Sequence, residues 1–234
     1  MKQRAIALFA VIAMISLIPA AVLALTPYNQ DFETLNAADT GALGADGWSV
    51  FANVFAPDGV SWLYGYGTFP APNDGGGFCQ IAVDGGQYLN VFSDYNNGDH
   101  AVGNVIEANT FQEMTVGAGD VGETWVFNFD AMKANLAGAT TALAFIKTLD
   151  PNAGWATTNF ITADMTGIPA AWGSYSLSIV IDASLVGQIL QIGFSNSCTN
   201  YEGSGIYYDN VDFGPSGPVA NENASWGEVK GLFR

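Results

Sequence analysis

Positive charge is what this sequence lacks most: six Lys and Arg stand against 22 Asp and Glu in 234 residues, a formal net charge of −16. Recognition of a phosphate backbone depends on Lys and Arg displacing counterions, so nucleic acid and anionic lipid are excluded as partners. Cations are favoured instead, and an acidic, Lys-poor surface also suits salty surroundings. Histidine is nearly absent too. The single one, His100, lies in NNGDHAVGN, and no G-x-S-x-G nucleophile motif accompanies it. A glycosidase carboxylate pair is a matter of spatial separation that 22 acids leave open. Cleavage of acidic polysaccharide would call for Arg, Lys or His, of which the domain holds only Lys133, Lys147 and His100. The expectation is a protein without enzymatic activity.

Cysteine is scarce, with only Cys79 and Cys198. In an oxidising compartment they would either close a loop of more than a hundred residues, for about 4 to 5 kcal/mol in the loop-entropy picture, or remain two buried free thiols. Long apolar runs are absent except at the start, where Lys2 and Arg4 precede an uncharged stretch from Ala5 to Leu25. Its Ala-rich composition and the small residues Val22 and Ala24 read as a secretion signal over residues 1–24. The stretch is also long enough to be an uncleaved anchor, the competing reading. With no Cys beside the cleavage site, a lipoprotein anchor is not indicated. The expected location is secreted or cell surface, with no membrane insertion after cleavage. Loss of Lys2 and Arg4 leaves four basic residues against 22 acidic ones and takes the charge to −18.

What the sequence has in quantity is β pattern. Runs rich in Val, Ile, Phe, Tyr and Trp recur between clusters of Gly, Asn, Asp and Pro. Strands are predicted over 47–55, 87–93, 104–116, 124–134, 141–149, 175–182, 189–196 and 206–213, with a short helical piece at 183–188. In TWVFNFDA, Trp125, Phe127 and Phe129 alternate with Thr124, Val126, Asn128 and Asp130, so one face belongs to a core and the other to a partly polar surface. Residues 57–77 read as a long Gly- and Pro-rich loop carrying Trp62, Tyr64, Tyr66 and Phe69. Residues 25–214 therefore form one all-β domain, a sandwich or barrel. Residues 215–234 form a flexible linker and tail, in which Trp226, Val229 and Phe233 could share a helical face. That tail is either a disordered end or an address read by an export or surface-attachment system.

Acids at both ends of the domain call for an explanation. Asp31 and Glu33 flank Phe32 in NQDFETL, and Asp209 follows Ile206, Tyr207 and Tyr208 in the closing strand. Calcium takes six to eight hard oxygens and can join strands remote in sequence, so convergence on a cation would account for them. Asp84, before a Gly-Gly turn, offers a third carboxylate.

At these residues the chain resembles the carbohydrate-binding modules of families 4, 9 and 22. The matching segments are QDFE (30–33), GW (47–48), DGGQYLNV (84–91) and YYDNV (207–211), in order along the chain. The resemblance implies a two-sheet antiparallel jelly-roll β-sandwich with a structural calcium. Its ligands would be the side chains of Glu33, Asp84 and Asp209 and the backbone carbonyls of Asp31 and Gln87. It also implies a neutral glycan held on the concave sheet by aromatic stacking and hydrogen bonds. One departure stands out: on the strand resembling the family's main binding strand, Asp130 occupies the position where an aromatic ring may stand, with Asn128 two residues before it. Gln191 could face the same cleft, and Trp62 and Tyr64, or Trp155 and Tyr201, could supply rings from loops. The expected function is thus an exported, non-catalytic glycan-binding protein. The alternative is a surface or matrix protein serving adhesion or assembly without a glycan.

Overall fold

The computed structural model describes residues 24–39, 41–66, 78–79, 86–93 and 97–217. The signal segment up to residue 23, Asp84, Phe69 and the tail from residue 218 lie outside them. Twelve strands are present: β1 (Tyr28–Gln30), β2 (Ser49–Phe55), β3 (Trp62–Tyr66), β4 (Phe78–Cys79), β5 (Tyr88–Val91), β6 (Val105–Thr115), β7 (Thr124–Lys133), β8 (Thr141–Asp150), β9 (Ala156–Asp164), β10 (Gly173–Val180), β11 (Ile189–Cys198) and β12 (Ile206–Pro215). Among the described residues helix is limited to α1 (Ala42–Ala45), α2 (Asn97–Ala101) and single 3-10 turns such as Ala183–Leu185. No helix among the described residues is long and apolar enough to cross a membrane.

The strands make two antiparallel sheets, a jelly-roll β-sandwich. Sheet A runs β10-β7-β12-β5-β4, with β1 also pairing to β12, and sheet B runs β3-β2-β6-β11-β8-β9. All eight strands expected from sequence are found, with ends moved by a few residues. The differences lie elsewhere. Trp62–Tyr66, read as loop, is the edge strand β3, and Ala156–Asp164, which carries no β-rich apolar run, is the opposite edge β9. The expected helical piece is shortened to a 3-10 turn capped by the Asp182 carboxylate, which accepts from the Ser184 N–H at 2.7 Å. Cys198 carries a free, buried thiol. It accepts from the Thr140 hydroxyl at 3.3 Å and donates to the Asn200 carbonyl at 2.6 Å.

Alternation decides which face of each strand is buried. Phe127 and Phe129 of β7 point inward, as do Leu190, Ile192 and Phe194 of β11, and all five are at most 2% exposed. The inner faces meet in an aromatic stack, with Phe194 and Tyr208 at 3.6 Å between ring centroids and Phe129 edge-on to Phe194 at 5.2 Å. Trp48 closes one end of this stack at 6.3 Å from Phe194. The residues of opposite parity, Asn128 and Asp130 on β7 and Gln191 on β11, therefore point away from each other, out of the two sides of the sandwich.

One strand breaks the rule. In β12 the buried positions are even-numbered up to Tyr208 and odd-numbered from Val211 onward. The register with β7 shifts between Asp209 and Asp212, and Asn210 adopts φ 48° there. An extra residue in a β-bulge flips the pattern, and Asn is among the few residues that take the left-handed conformation at low cost. This bulge leaves Asp209 buried at 1% exposure, which answers why a carboxylate follows the aromatic run.

Candidate functional site

The two ends of the domain lie side by side. β1 pairs with Val211–Phe213 of β12, and β5 pairs with Ile206–Tyr208, so both strands end against the bulge that carries Asp209. At this seam Glu33 accepts from the Gln87 backbone N–H at 2.6 Å. The Gln87 side-chain amide donates to the carbonyls of Phe32, Glu33 and Leu35 at 2.9, 3.2 and 3.0 Å. Glu33 presses so closely on Gly86 that a Cβ there would lie 1.8 Å from its carboxylate, which would have to swing away from Gln87 to make room. Phe32 itself is fully buried in the left-handed region at φ 59°, a conformation that costs a bulky residue roughly 1–3 kcal/mol. Gln30 holds it there by accepting from the Phe32 N–H at 2.6 Å. Tyr28 and Gln30 both donate to Asp46, at 2.6 and 2.8 Å, and Trp48 donates to the Tyr28 hydroxyl at 2.7 Å. Burial, reinforced by Asp46, pushes the Tyr28 hydroxyl far above its ordinary pKa.

The seam thus brings Glu33 and Gln87 into contact, while Asp209 lies on β12 opposite Asp130 of β7 and Asp31 uses its carboxylate to accept from the Glu33 N–H at 3.1 Å. Among the described residues no group of three or more His, Cys, Asp or Glu is arranged to hold a metal. Asp84 lies outside those residues. The oxygen chemistry here suits a hard cation, with carboxylates and several convergent carbonyls, but the side-chain amide of Gln87 stands among the carbonyls of residues 32, 33 and 35. Gln30 is the residue that sequence reading passed over. It appears in the quoted QDFE segment, yet its part in pinning Phe32 depends on Asp46, which the sequence does not place nearby.

The outer face of sheet B has a different character. Gln191 of the central strand β11 lies directly opposite Glu113 of β6 and Lys147 of β8. Its amide donates to the Glu113 carboxylate at 2.8 Å, while its own buried oxygen has no donor among the described residues. Further along β6, Glu107 accepts from Asn53 and Asn109 at 3.0 and 2.9 Å, and Asn53 accepts from the Trp62 indole at 3.2 Å. The Lys147 ammonium sits 5.2 Å from the Phe145 ring centroid. Burial pulls its pKa down, and the nearby charges of Glu107 and Glu113 oppose that shift.

Gly193, in the middle of this face, faces Phe111 on one side and Phe145 on the other. A Cβ there would meet the Thr110 carbonyl oxygen at 2.3 Å and Phe111 at 2.7 Å. Rings at both edges of the face remain open to solvent: Trp62 on β3 is 59% exposed and Phe160 on β9 is 55% exposed. Five strand spacings, about 24 Å, separate them across the sheet, and the register offsets them by eight strand positions, about 27 Å, along it, so they stand about 36 Å apart on a diagonal. Between the two lies a strip of amides and carboxylates.

The outer face of sheet A carries Asn128 and Asp130. Asn128 donates to Asp212 at 3.3 Å, and Asp130 accepts from Ser174 and Asn210 at 2.6 and 3.0 Å. These residues line a shallow depression with Ser176, and Asp31, Asn210 and Asp212 line its neighbour. The five residues expected to form one cleft are therefore not together. Asn128 and Asp130 lie on one side of the sandwich, and Gln191 and Trp62 on the other. Tyr64, next but one to Trp62, turns the other way and donates to Asp99 of α2. The cause is strand assignment: β7 and β11 belong to different sheets, and outward positions on facing sheets diverge.

No known family profile matches the chain, and no curated protein matches it. Some solved structures resemble it in part, at TM-scores below 0.5. One is the Clostridium thermocellum endo-1,4-beta-D-xylanase 10B with its CBM22-1 and GH10 modules, complexed with xylohexaose, at TM-score 0.43 and 10% identity over 84% of this chain and 29% of that one. This chain thus spans under a third of that xylanase chain. A second is the CBM22-2 xylan-binding domain of a Paenibacillus barcinonensis xylanase, at TM-score 0.40 and 13% identity over 81% of this chain and 99% of that one. A third is a cyclase from Fischerella sp. TAU in complex with 4-(1H-indol-3-yl)butan-2-one, at TM-score 0.40 and 14% identity over 70% of this chain and 84% of that one. The jelly-roll sandwich itself is shown by the chain's own strand pairing into two antiparallel sheets.

Proposed function

We propose that this is an exported, non-catalytic protein that binds a neutral glycan across the outer face of sheet B. The observation that carries the reading is the pairing of solvent-open rings at the two edges, Trp62 and Phe160, with a strip of hydrogen-bonding groups between them. Sugar rings present apolar C–H faces and hydroxyl rims, so aromatic platforms and planar amides and carboxylates are their natural complements.

A catalytic reading finds less support on this face. Glu107 and Glu113 are six residues apart on one strand, about 20 Å, and each head group is tied to its own neighbours, whereas glycosidase carboxyl pairs stand roughly 5–9.5 Å apart. The alternative of a structural protein without a glycan would leave the open rings serving contact with other macromolecules.

Glycan binding is tested on an array of neutral polysaccharides. Saturable binding should be weakened at least tenfold by Trp62→Ala combined with Phe160→Ala, and should survive Asn128→Ala combined with Asp130→Ala. Absence of affinity for any glycan would reject the reading. The reading also includes a structural calcium, held by the side chains of Glu33, Asp84 and Asp209 with the backbone carbonyls of Asp31 and Gln87. Such an ion would supply cross-linking of the chain's two ends and no chemistry. What supports it is the convergence of β1 and β5 on the bulge at Asp209, and a thermal midpoint insensitive to chelator would count against it.

A further inference from the structure

We propose that the chain is cut between Ala24 and Leu25 on export, and that the ammonium group so formed on Leu25 pairs with the buried carboxylate of Asp120. Two independent observations meet at this bond. The leader pattern sets the small residues Val22 and Ala24 at the third and first positions before it. The fold begins at the same place: Ala24 is exposed, whereas Leu25 is 5% exposed and belongs to the main core cluster. The Leu25 backbone N–H donates to Asp120 Oδ2 at 2.9 Å, across 95 positions of sequence. Asp120 ends the 3-10 turn Ala118–Asp120, in the connection from β6 of sheet B to β7 of sheet A. The same oxygen accepts from the Gly117 N–H at 2.8 Å.

Asp120 is 3% exposed, and a carboxylate taken out of water needs a counter-charge or several donors. The two basic side chains among the described residues stand elsewhere. Lys133 is at the far end of β7, and Lys147 lies over the Phe145 ring with Glu107 and Glu113 as its nearby charges. In the uncut chain both bonds to Oδ2 come from neutral backbone amides. Hydrolysis by an export peptidase adds one water across the Ala24–Leu25 amide. The C–N bond breaks, the water oxygen stays on Ala24 as a carboxylate that leaves with residues 1–24, and both water hydrogens end on the Leu25 nitrogen. An α-amine, with an ordinary pKa of about 7.7–8.0, holds that extra proton at neutral pH. The neutral donor thus becomes a cation, at a separation already inside the range of charge-assisted bonds, so the pair forms without movement of the fold. It fastens the first residue of the exported chain to the connection between the two sheets.

The inference rests on the export part of the proposed reading and not on glycan binding. The full-length chain, made in an exporting host with its own leader, should be recovered outside the cytoplasm with Leu25 as its first residue, read by intact mass and N-terminal sequencing. Asp120→Asn keeps the shape and an acceptor oxygen but removes the charge. Ala24→Phe replaces the small residue that the peptidase requires and leaves the Leu25 nitrogen in an amide. Asp120→Asn should therefore lower the thermal midpoint by about 4 °C more in the processed chain than in the Ala24→Phe chain, a coupling that a purely structural role of Asp120 would not produce. A measurement on the parent alone needs no variant: the Leu25 amine should acetylate at least tenfold more slowly in the folded chain than in the same chain in urea. Recovery of the chain with residues 1–24 still attached would overturn this inference together with the export reading. A first residue other than Leu25, an equal loss in the two backgrounds, or an amine acetylated as fast in the folded chain as in urea would overturn the inference and leave export standing.

Discussion

The two outer faces of this sandwich are built on the same core and share the same strand geometry, yet they differ in what they leave unsatisfied. On sheet A, short polar side chains bond to one another: Asp130 is engaged by Ser174 and Asn210, and Asp212 by Asn128. What is left over there is the buried Oδ1 of Asn90, without a donor among the described residues, and Val180, open on the β10 edge, while the Tyr88 and Tyr207 rings pack on one another at 4.5 Å. On sheet B, large rings stand open at both edges and a buried amide oxygen of Gln191 lacks a donor among the described residues. Binding depends on groups that a ligand can cover better than solvent does, and the open rings of Trp62 and Phe160 are such groups. A face rich in polar residues is thus not for that reason a binding face.

The comparison can be broken at its foundation, where the largest effect is expected. Phe194 is the ring that both sheets pack on, so Phe194→Ala should destabilise the domain by about 3–5 kcal/mol, visible as a lower denaturant midpoint, and should affect both faces together. Chelation of the proposed calcium comes next. At an ion concentration a hundred times its Kd the ion contributes about 2.7 kcal/mol, or about 5–10 °C of thermal midpoint for a domain of this size. That loss should be absent in a Glu33→Ala variant, whose midpoint should already match that of the chelated parent.

Gly193→Ala sharpens the contrast between the faces. The added Cβ collides with a backbone oxygen on sheet B, and a cost of about 1–3 kcal/mol is expected, whereas Ser176→Ala on exposed sheet A should stay within about 0.5 kcal/mol in the same denaturation assay. The smallest effect concerns Lys147. Its folded pKa is lowered by burial, so between that value and its ordinary one the unfolded chain binds more protons. Stability should therefore rise with pH through this window, and Lys147→Met should remove that part of the slope in thermal melts taken across alkaline pH.

The core and most strands were legible in the sequence because burial on one face imposes alternation, as in Trp125, Phe127 and Phe129. The strands that escaped, β3 and β9, are edges of sheet B. An edge strand is exposed on both sides and need not alternate: β9 reads ATTNFITAD with every residue from Ala156 to Thr158 exposed, so the pattern that marks a buried strand is missing. The seam between the chain's ends was legible from acids at each end of the domain, because carboxylates in an apolar context need a partner. The division of Asn128 and Asp130 from Gln191 was not. Parity tells which residues of a strand share a face, but which sheet a strand joins is fixed by long-range pairing, here β7 with β10 and β12, and β11 with β6 and β8. The bulge at Asn210 was equally hidden, since one inserted residue looks like an ordinary polar position until the register is known.

The central claim is that ligand recognition belongs to sheet B alone. Amide chemical shifts followed by NMR during titration with a neutral oligosaccharide test it most directly. The account predicts saturable shifts confined to outward positions of β3, β6, β8, β9 and β11, around Trp62, Glu113, Lys147, Phe160 and Gln191. Shifts centred on Asn128, Asp130 and Ser174 instead would contradict it.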